Sequence, residues 1–250
     1  MNYATSFVLG LCLVFASAAA QDAGKKDGEL TDAIEILKKA DAAAKAIKVV
    51  QYKAVAKGLG ADEARLPTVE GTAILSGWLG FGPEKYRYDV KVQRPGSADA
   101  AEYSAGSDGN LVFFVDPSKK TAYEDIDPAV LGSNARVIAS IAVRKLLNPE
   151  AFADEMKAEK VELKGTAKIG DQECYEVHVH YGKDAGDGAW FLAKKDFLPR
   201  RVERTFPTQG GEMGGRQTTL SDLVVNPALE KDTFKLKLPE GFTKTDDFAP

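Results

Sequence analysis

Two periods of hydrophobic spacing alternate along the chain, and together they predict a β-rich fold with helices in two places. Between residues 34 and 48, Ile34, Leu37, Ala40, Ala44 and Ile47 recur every three to four positions, with Lys38, Lys39, Asp41, Lys45 and Lys48 largely on the other side. That spacing predicts an amphipathic helix of about four turns, started by Thr31 or Asp32. From Val49 the period falls to two, and strands are predicted over 49–57, 68–78, 84–94, 101–105, 111–115 and 121–126. The clearest is 84–94. Tyr86, Tyr88, Val90 and Val92 face one way, and Lys85, Arg87, Asp89, Lys91 and Gln93 the other. Residues 111–115, LVFFV, are apolar on both faces. Turn sequences separate these strands, among them Gly80-Phe81-Gly82-Pro83, Pro95-Gly96 and Ser107-Asp108-Gly109-Asn110.

Residues 127–159 interrupt the strands. Asp127-Pro128 opens a helical stretch with an apolar stripe of Val137, Ile138, Ile141, Ala142, Leu146 and Leu147. Asn148-Pro149 breaks it, and a second short helix carries Phe152 and Met156. Strand patterns then resume over 160–169 and in a three-strand unit over 172–206, whose first strand sets Tyr175, Val177, Val179 and Tyr181 against Cys174, Glu176, His178 and His180. Residues 216–225 form another strand, and Phe234, Leu236 and Leu238 alternate in the closing segment. Short, hairpin-like connections make the sheet antiparallel. The predicted fold class is mainly antiparallel β with α. It is a curved, incomplete β-barrel of about eleven strands, capped by the N-terminal helix and the mid-chain helical insertion. One domain is expected over 30–242, followed by a polar tail, 243–250.

Composition adds the compartment. Residues 7–16, FVLGLCLVFA, form a short apolar run followed by Ser17-Ala18-Ala19-Ala20, the form of a secretory signal peptide over 1–20. A polar, disordered leader, 21–29, follows. The chain is therefore expected to be exported, periplasmic or otherwise extracytoplasmic, with no integral membrane span once the signal is removed. Removal leaves one cysteine, Cys174, which has no internal disulfide partner. With 33 basic and 37 acidic residues spread over 250 positions, the net charge is −4. No clustered basic footprint for nucleic acid appears.

The candidate chemistry is sparse. His178 and His180 are the only histidines and share a strand face with Glu176 and Cys174, a pattern able to ligate zinc but read here as a solvated outer face. No metal, cofactor or catalytic residue is expected. There is no nucleophile elbow, and two histidines in one strand leave few ways to build a triad. Gly210-Gly211-Glu212-Met213-Gly214-Gly215 lacks the ending of a phosphate loop and reads as a flexible hairpin or a mobile gate. Arg200, Arg201 and Arg204 form a small basic cluster, read as a solvated strand face or a contact for a lipid headgroup.

The order of elements resembles the LolA/LolB superfamily of lipoprotein-sorting proteins over about Ile34 to Phe242. The stretches that carry the resemblance are IEILKKADAAAKAIKVVQYKAVAKG, the hairpin from Asp108-Gly109-Asn110-Leu111 through Asp116-Pro117 to Ala122-Tyr123, GDQECYEVHV, WFLAKKDFLPRRVE and NPALEKDTFKLKLPEGF. No residue-level carrier motif is present to transfer. The resemblance implies an apolar concavity closed by helices that holds acyl chains. In this chain its expected lining is Tyr86, Tyr88, Val90, Val92, Tyr175, Val177, Val179 and Trp190, with Ile138 and Ile141 from the insertion. Phe113 or Phe114, and Phe191 as the alternative to Trp190, compete for inward places. The implied function is a non-enzymatic, carrier-like binder of a lipid or a lipidated protein. The alternative is a structural or protein-interaction module of the cell envelope, with a protein partner and no ligand.

Overall fold

The predicted alternation folds into a single open sheet. The computed structural model describes residues 30–246. The expected signal peptide and leader, 1–29, and the last four positions of the tail lie outside the described residues. Twelve strands follow in chain order: β1 (Val49–Gly60), β2 (Thr68–Ser76), β3 (Lys85–Gln93), β4 (Ala100–Ser107), β5 (Val112–Asp116), β6 (Thr121–Asp125), β7 (Lys160–Ile169), β8 (Gln172–His180), β9 (Asp187–Ala193), β10 (Pro199–Pro207), β11 (Met213–Val225) and β12 (Thr243–Thr245). In space they run β12-β6-β5-β4-β3-β2-β1-β11-β10-β9-β8-β7. Two meanders, β2–β6 and β7–β10, meet at a seam where β1 pairs with β11, Ala54 opposite Leu220 and Ala56 opposite Thr218. All pairs are antiparallel except β12, which lies parallel to β6. The result is a curved half-barrel whose concave face is covered by helices.

Helix α1 (Ala33–Lys45) starts where Asp32 accepts a hydrogen bond from the Ile34 N–H at 2.8 Å. Ile36, Leu37, Ala40 and Ala44 press onto Tyr175, Val177, Val179, Trp190 and Leu192 of β8 and β9. The expected stripe is thus widened. Ile36 is fully buried while Ile34 is partly exposed, because residues 151–156 pack on a second side of the helix. That contact also buries Asp41, placed outside by the spacing. It accepts from the Phe152 N–H at 3.3 Å and pairs with Lys45 at 2.6 Å. At the seam Asn226, in the left-handed region, accepts from the N–H groups of Lys48 and Val49 and donates to the Ala46 carbonyl. It ties the α1–β1 junction to the end of β11.

The insertion is broken more finely than its stripe implies. Residues 128–134 form tight 3-10 turns, α2 spans Ala135–Ile138, further 3-10 turns cover 139–141 and 144–146, and α3 spans Ala153–Met156. Gly132 at φ 53° and ψ −150° cannot continue a helix. Ala142 is extended, with ψ 114°, and Val143, at ψ 80°, is also outside the helical region. The Val143 N–H thereby reaches the hydroxyl of Tyr52 at 2.9 Å, and that hydroxyl donates to the Ile141 carbonyl at 3.2 Å.

The closing segment differs too. Residues 226–242 form no strand. They cross the convex face, where Leu236 and Phe242 cover Phe113, Val115 and Ala122. This accounts for a β5 apolar on both sides: Phe114 faces the main core, and Phe113 needs the strap. Beyond it, Thr243–Thr245 of the expected tail supply the twelfth strand.

Candidate functional site

The concave face is partly filled by its own side chains and keeps two cavities on either side of the insertion. The first, of about 410 Å³, lies between β3, β4 and the insertion. Its walls are Tyr86, Tyr88, Ala105 and Val112 from the sheet, and Leu131, Ala135, Ile138 and Ala139 from above. Tyr86 and Tyr88 stack at 5.2 Å between centroids, and burial pushes both phenols above the ordinary tyrosine range. At the mouth, Leu79 and Phe81 of the turn after β2 are exposed, Phe81 by 80%. A mostly apolar cavity of this size with a few polar groups is the usual form of a small-ligand site.

The second cavity, of about 680 Å³, opens between residues 142–145, α3 and strands β9–β11. A hydrogen-bonded chain forms one side. Trp190 Nε1 donates to the Tyr181 hydroxyl at 3.3 Å, and that hydroxyl donates to Glu155 at 2.8 Å. Lys145 pairs with the other Glu155 oxygen at 2.7 Å. Glu155 is only 2% exposed. Burial and the neighbouring Glu155 charge push the Tyr181 phenol well up. Arg204, stacked over the Tyr181 ring, and Arg216 also line it, and Arg144 borders both cavities.

The expected lining residues therefore divide. Tyr86, Tyr88 and Ile138 meet around the first cavity. Val90, Val92 and Ile141 are packed in the core beneath it. Tyr175, Val177 and Val179 lie under α1, and Trp190 borders the second cavity while packing edge-on against Phe152 at 5.0 Å. Phe191 faces the convex side.

The candidate zinc face is not assembled as one site. Cys174 is buried with Ile169, Ala189 and Phe191, and burial raises its thiol pKa. His178 pairs with Glu176 at 2.7 Å, and His180 with Asp187 at 2.6 Å. Among the described residues no three such side chains converge on a metal position. The arginine cluster also separates. Arg200 is buried and pairs with Asp196 at 2.5 Å. Arg201 lies over Phe191 on the convex face, while Arg204 points into the second cavity. The glycine-rich stretch is the β10–β11 hairpin, closed by the Thr208 N–H donating to the Glu212 carbonyl at 2.8 Å. What spacing alone did not single out is Lys145, Glu155 and Arg216. Their only sequence signal is a charge next to an apolar stripe.

On the convex face, burial raises the pKa of Glu203, opposed by Arg201 and reinforced by Glu176. A carboxyl raised on folding favours the fold below its unfolded pKa and loses that contribution as pH rises through its folded pKa. Glu203→Gln is therefore expected to stabilise the fold at pH 7, by less than about 1 kcal/mol after solvent screening. The difference shrinks to nothing as pH falls below the glutamate range. Paired thermal melts from pH 3 to 8 check it, and a gain that persists at the acid end contradicts the assignment.

Residues 87–246 match the family model described as "Predicted periplasmic protein (DUF2092)". No curated protein matches the chain. Among solved structures it is similar to LprF from Mycobacterium bovis, at 13% identity over 84% of this chain and 97% of that one, with a TM-score of 0.49. It is similar to the Mycobacterium tuberculosis lipoprotein LppX, at 8% identity over 78% and 96%, with a TM-score of 0.45. A LolA superfamily protein from Nitrosomonas europaea, at 14% identity over 83% and 99%, has a TM-score of 0.36. These are likenesses of fold alone. No helix among the described residues is long and apolar enough to cross a membrane.

Proposed function

The chain belongs to the DUF2092 family of predicted periplasmic proteins, and from that premise we propose that it is a non-enzymatic binder of an apolar ligand, the acyl part of a lipid or a lipidated protein. The observation that carries this reading is the 410 Å³ cavity roofed by the insertion, with tyrosine and aliphatic walls and Phe81 exposed at its mouth. An apolar chain entering it removes hydrocarbon surface from water at about 25 cal/mol per Å². The roof is made of short turns and not of one long helix, so it can yield without dismantling the sheet.

Native mass spectrometry of the protein purified from envelope extract tests the proposal. The expected result is a lipid-sized adduct on the wild type. Ala135→Trp, which places an indole in the cavity from a partly exposed roof position, is expected to lose the adduct while keeping the wild-type melting point. A wild type that carries a stoichiometric protein partner and no lipid would favour the interaction-module reading instead.

A further inference from the structure

The second cavity has a charge imbalance that the apolar reading does not use. Arg204 of β10 and Arg216 of β11 are direct cross-strand partners, so both side chains leave the same face of the sheet. Both border the second cavity. Among the described residues no carboxylate lies within ion-pair distance of either. Arg204 lies over the Tyr181 ring at 3.8 Å and gives one hydrogen bond, to the Ala185 carbonyl at 3.3 Å. Gly188 makes that stacking possible, since a Cβ there would sit 3.0 Å from the Tyr181 ring and 3.4 Å from Arg204 Cδ. The Nη1 of Arg216 is buried and has no hydrogen-bond partner in the protein. Burial disfavours its charge, with Asp62 the opposing attraction. The two acids that border the cavity do not relieve this. Glu155 is held by Lys145 and Tyr181, and Asp154 stands out in solvent 3.9 Å from Lys145.

We propose that Arg204 and Arg216 form a binding site for a phosphate group in this cavity. A tetrahedral oxyanion bound at the two arginines gives the Arg216 fork the partner its Nη1 lacks and takes the charge-assisted, forked hydrogen bonds to which arginine is suited. Arg144 borders both cavities. The phosphate is therefore carried either by a lipid headgroup whose chains reach the apolar cavity or by a free phosphate. The site stands on the arginine pair and does not require the apolar cavity to be occupied.

Isothermal titration calorimetry in phosphate-free buffer tests it with three probes: inorganic phosphate, dioctanoyl phosphatidylglycerol below its micellar concentration, and dioctanoyl glycerol. The wild type is expected to bind at least one phosphate-bearing probe more tightly than dioctanoyl glycerol. Arg204→Gln and Arg216→Gln each weaken that binding roughly tenfold or more, as loss of charge-assisted hydrogen bonds implies. Without ligand, Arg216→Gln is expected to melt no lower than the wild type, because the buried Nη1 it removes has no partner to lose, whereas Arg204→Gln gives up the stack on Tyr181 and is expected to melt slightly lower. Arg216→Lys keeps the charge and is expected to retain part of the binding. Phosphatidylglycerol binding alone identifies a headgroup. Equal binding of inorganic phosphate identifies the free ion. Persistence of inorganic phosphate binding in Ala135→Trp separates this site from the apolar one. No phosphate-dependent binding, or Gln variants that bind phosphate as before, overturns the proposal.

Discussion

Tyr52→Phe is expected to destabilise the fold by about 2–4 kcal/mol, an effect out of proportion to the loss of one oxygen atom. Tyr52 lies on β1 and is 1% exposed. Its hydroxyl is both the acceptor for the Val143 N–H and the donor to the Ile141 carbonyl. Those two backbone groups sit on buried residues where the insertion leaves its 3-10 turns. Removing the hydroxyl strands both at once, and each unsatisfied buried group costs about 1–3 kcal/mol. Burial holds the phenol neutral far above its ordinary range, so the effect is the same at any pH in which the protein folds. Urea titration checks it: the midpoint falls while the slope m stays that of the wild type. A shift smaller than about 0.5 kcal/mol, the scale of an ordinary surface substitution, would mean that water reaches these groups and that the insertion is not pinned there.

Lys145→Met is the second large effect, expected at about 3 kcal/mol. The cost falls on Glu155, which is nearly inaccessible and loses the cation 2.7 Å away. Breaking one side of a buried pair typically costs 3–5 kcal/mol, and the lower end applies because the Lys145 side chain is 24% exposed and Tyr181 still donates to the carboxylate. The discriminating measurement is the double variant Lys145→Met/Glu155→Leu. Replacing both partners with apolar groups is expected to recover most of the loss, since no charge is left stranded. Guanidinium melts of the two singles and the double form a cycle. A double variant as unstable as Lys145→Met alone would show that packing, and not the buried charge, carries the effect.

How far the sequence could be read depended on whether the deciding contacts were local. The strands were legible because a half-buried strand writes its own pattern. Tyr86, Tyr88, Val90 and Val92 turn to one face on β3, and Tyr175, Val177 and Val179 do so on β8. The doubly apolar β5 was visible, but what covers its outer face was not, because the cover comes from a segment more than a hundred residues later. The part of the insertion before Asn148-Pro149 looked like one helical stretch because its apolar spacing is helical. The break lies in Gly132 and in the pull of Tyr52 on residues 141–143, a contact about ninety positions away. The arginine pair needed the β10–β11 register before Arg204 and Arg216 could be seen as neighbours. By contrast Arg200, Arg201 and Arg204 are neighbours in sequence and are sent to three different surroundings.

The sheet is open, which leaves two edges with unpaired backbone, and each is blunted in its own way. Along β7, Lys160, Lys164 and Lys168 are exposed, and the register slips between Leu163 and Gly165, where Gly165 sits at φ 127°. A second chain approaching that edge meets charge and a kink before it can lengthen the ladder. At the other end β12 is three residues long and presents Thr-Lys-Thr, with Lys244 paired to Glu124. It shields the longer β6 with a strand too short to template another. An unclosed half-barrel is thereby kept from polymerising through its rims.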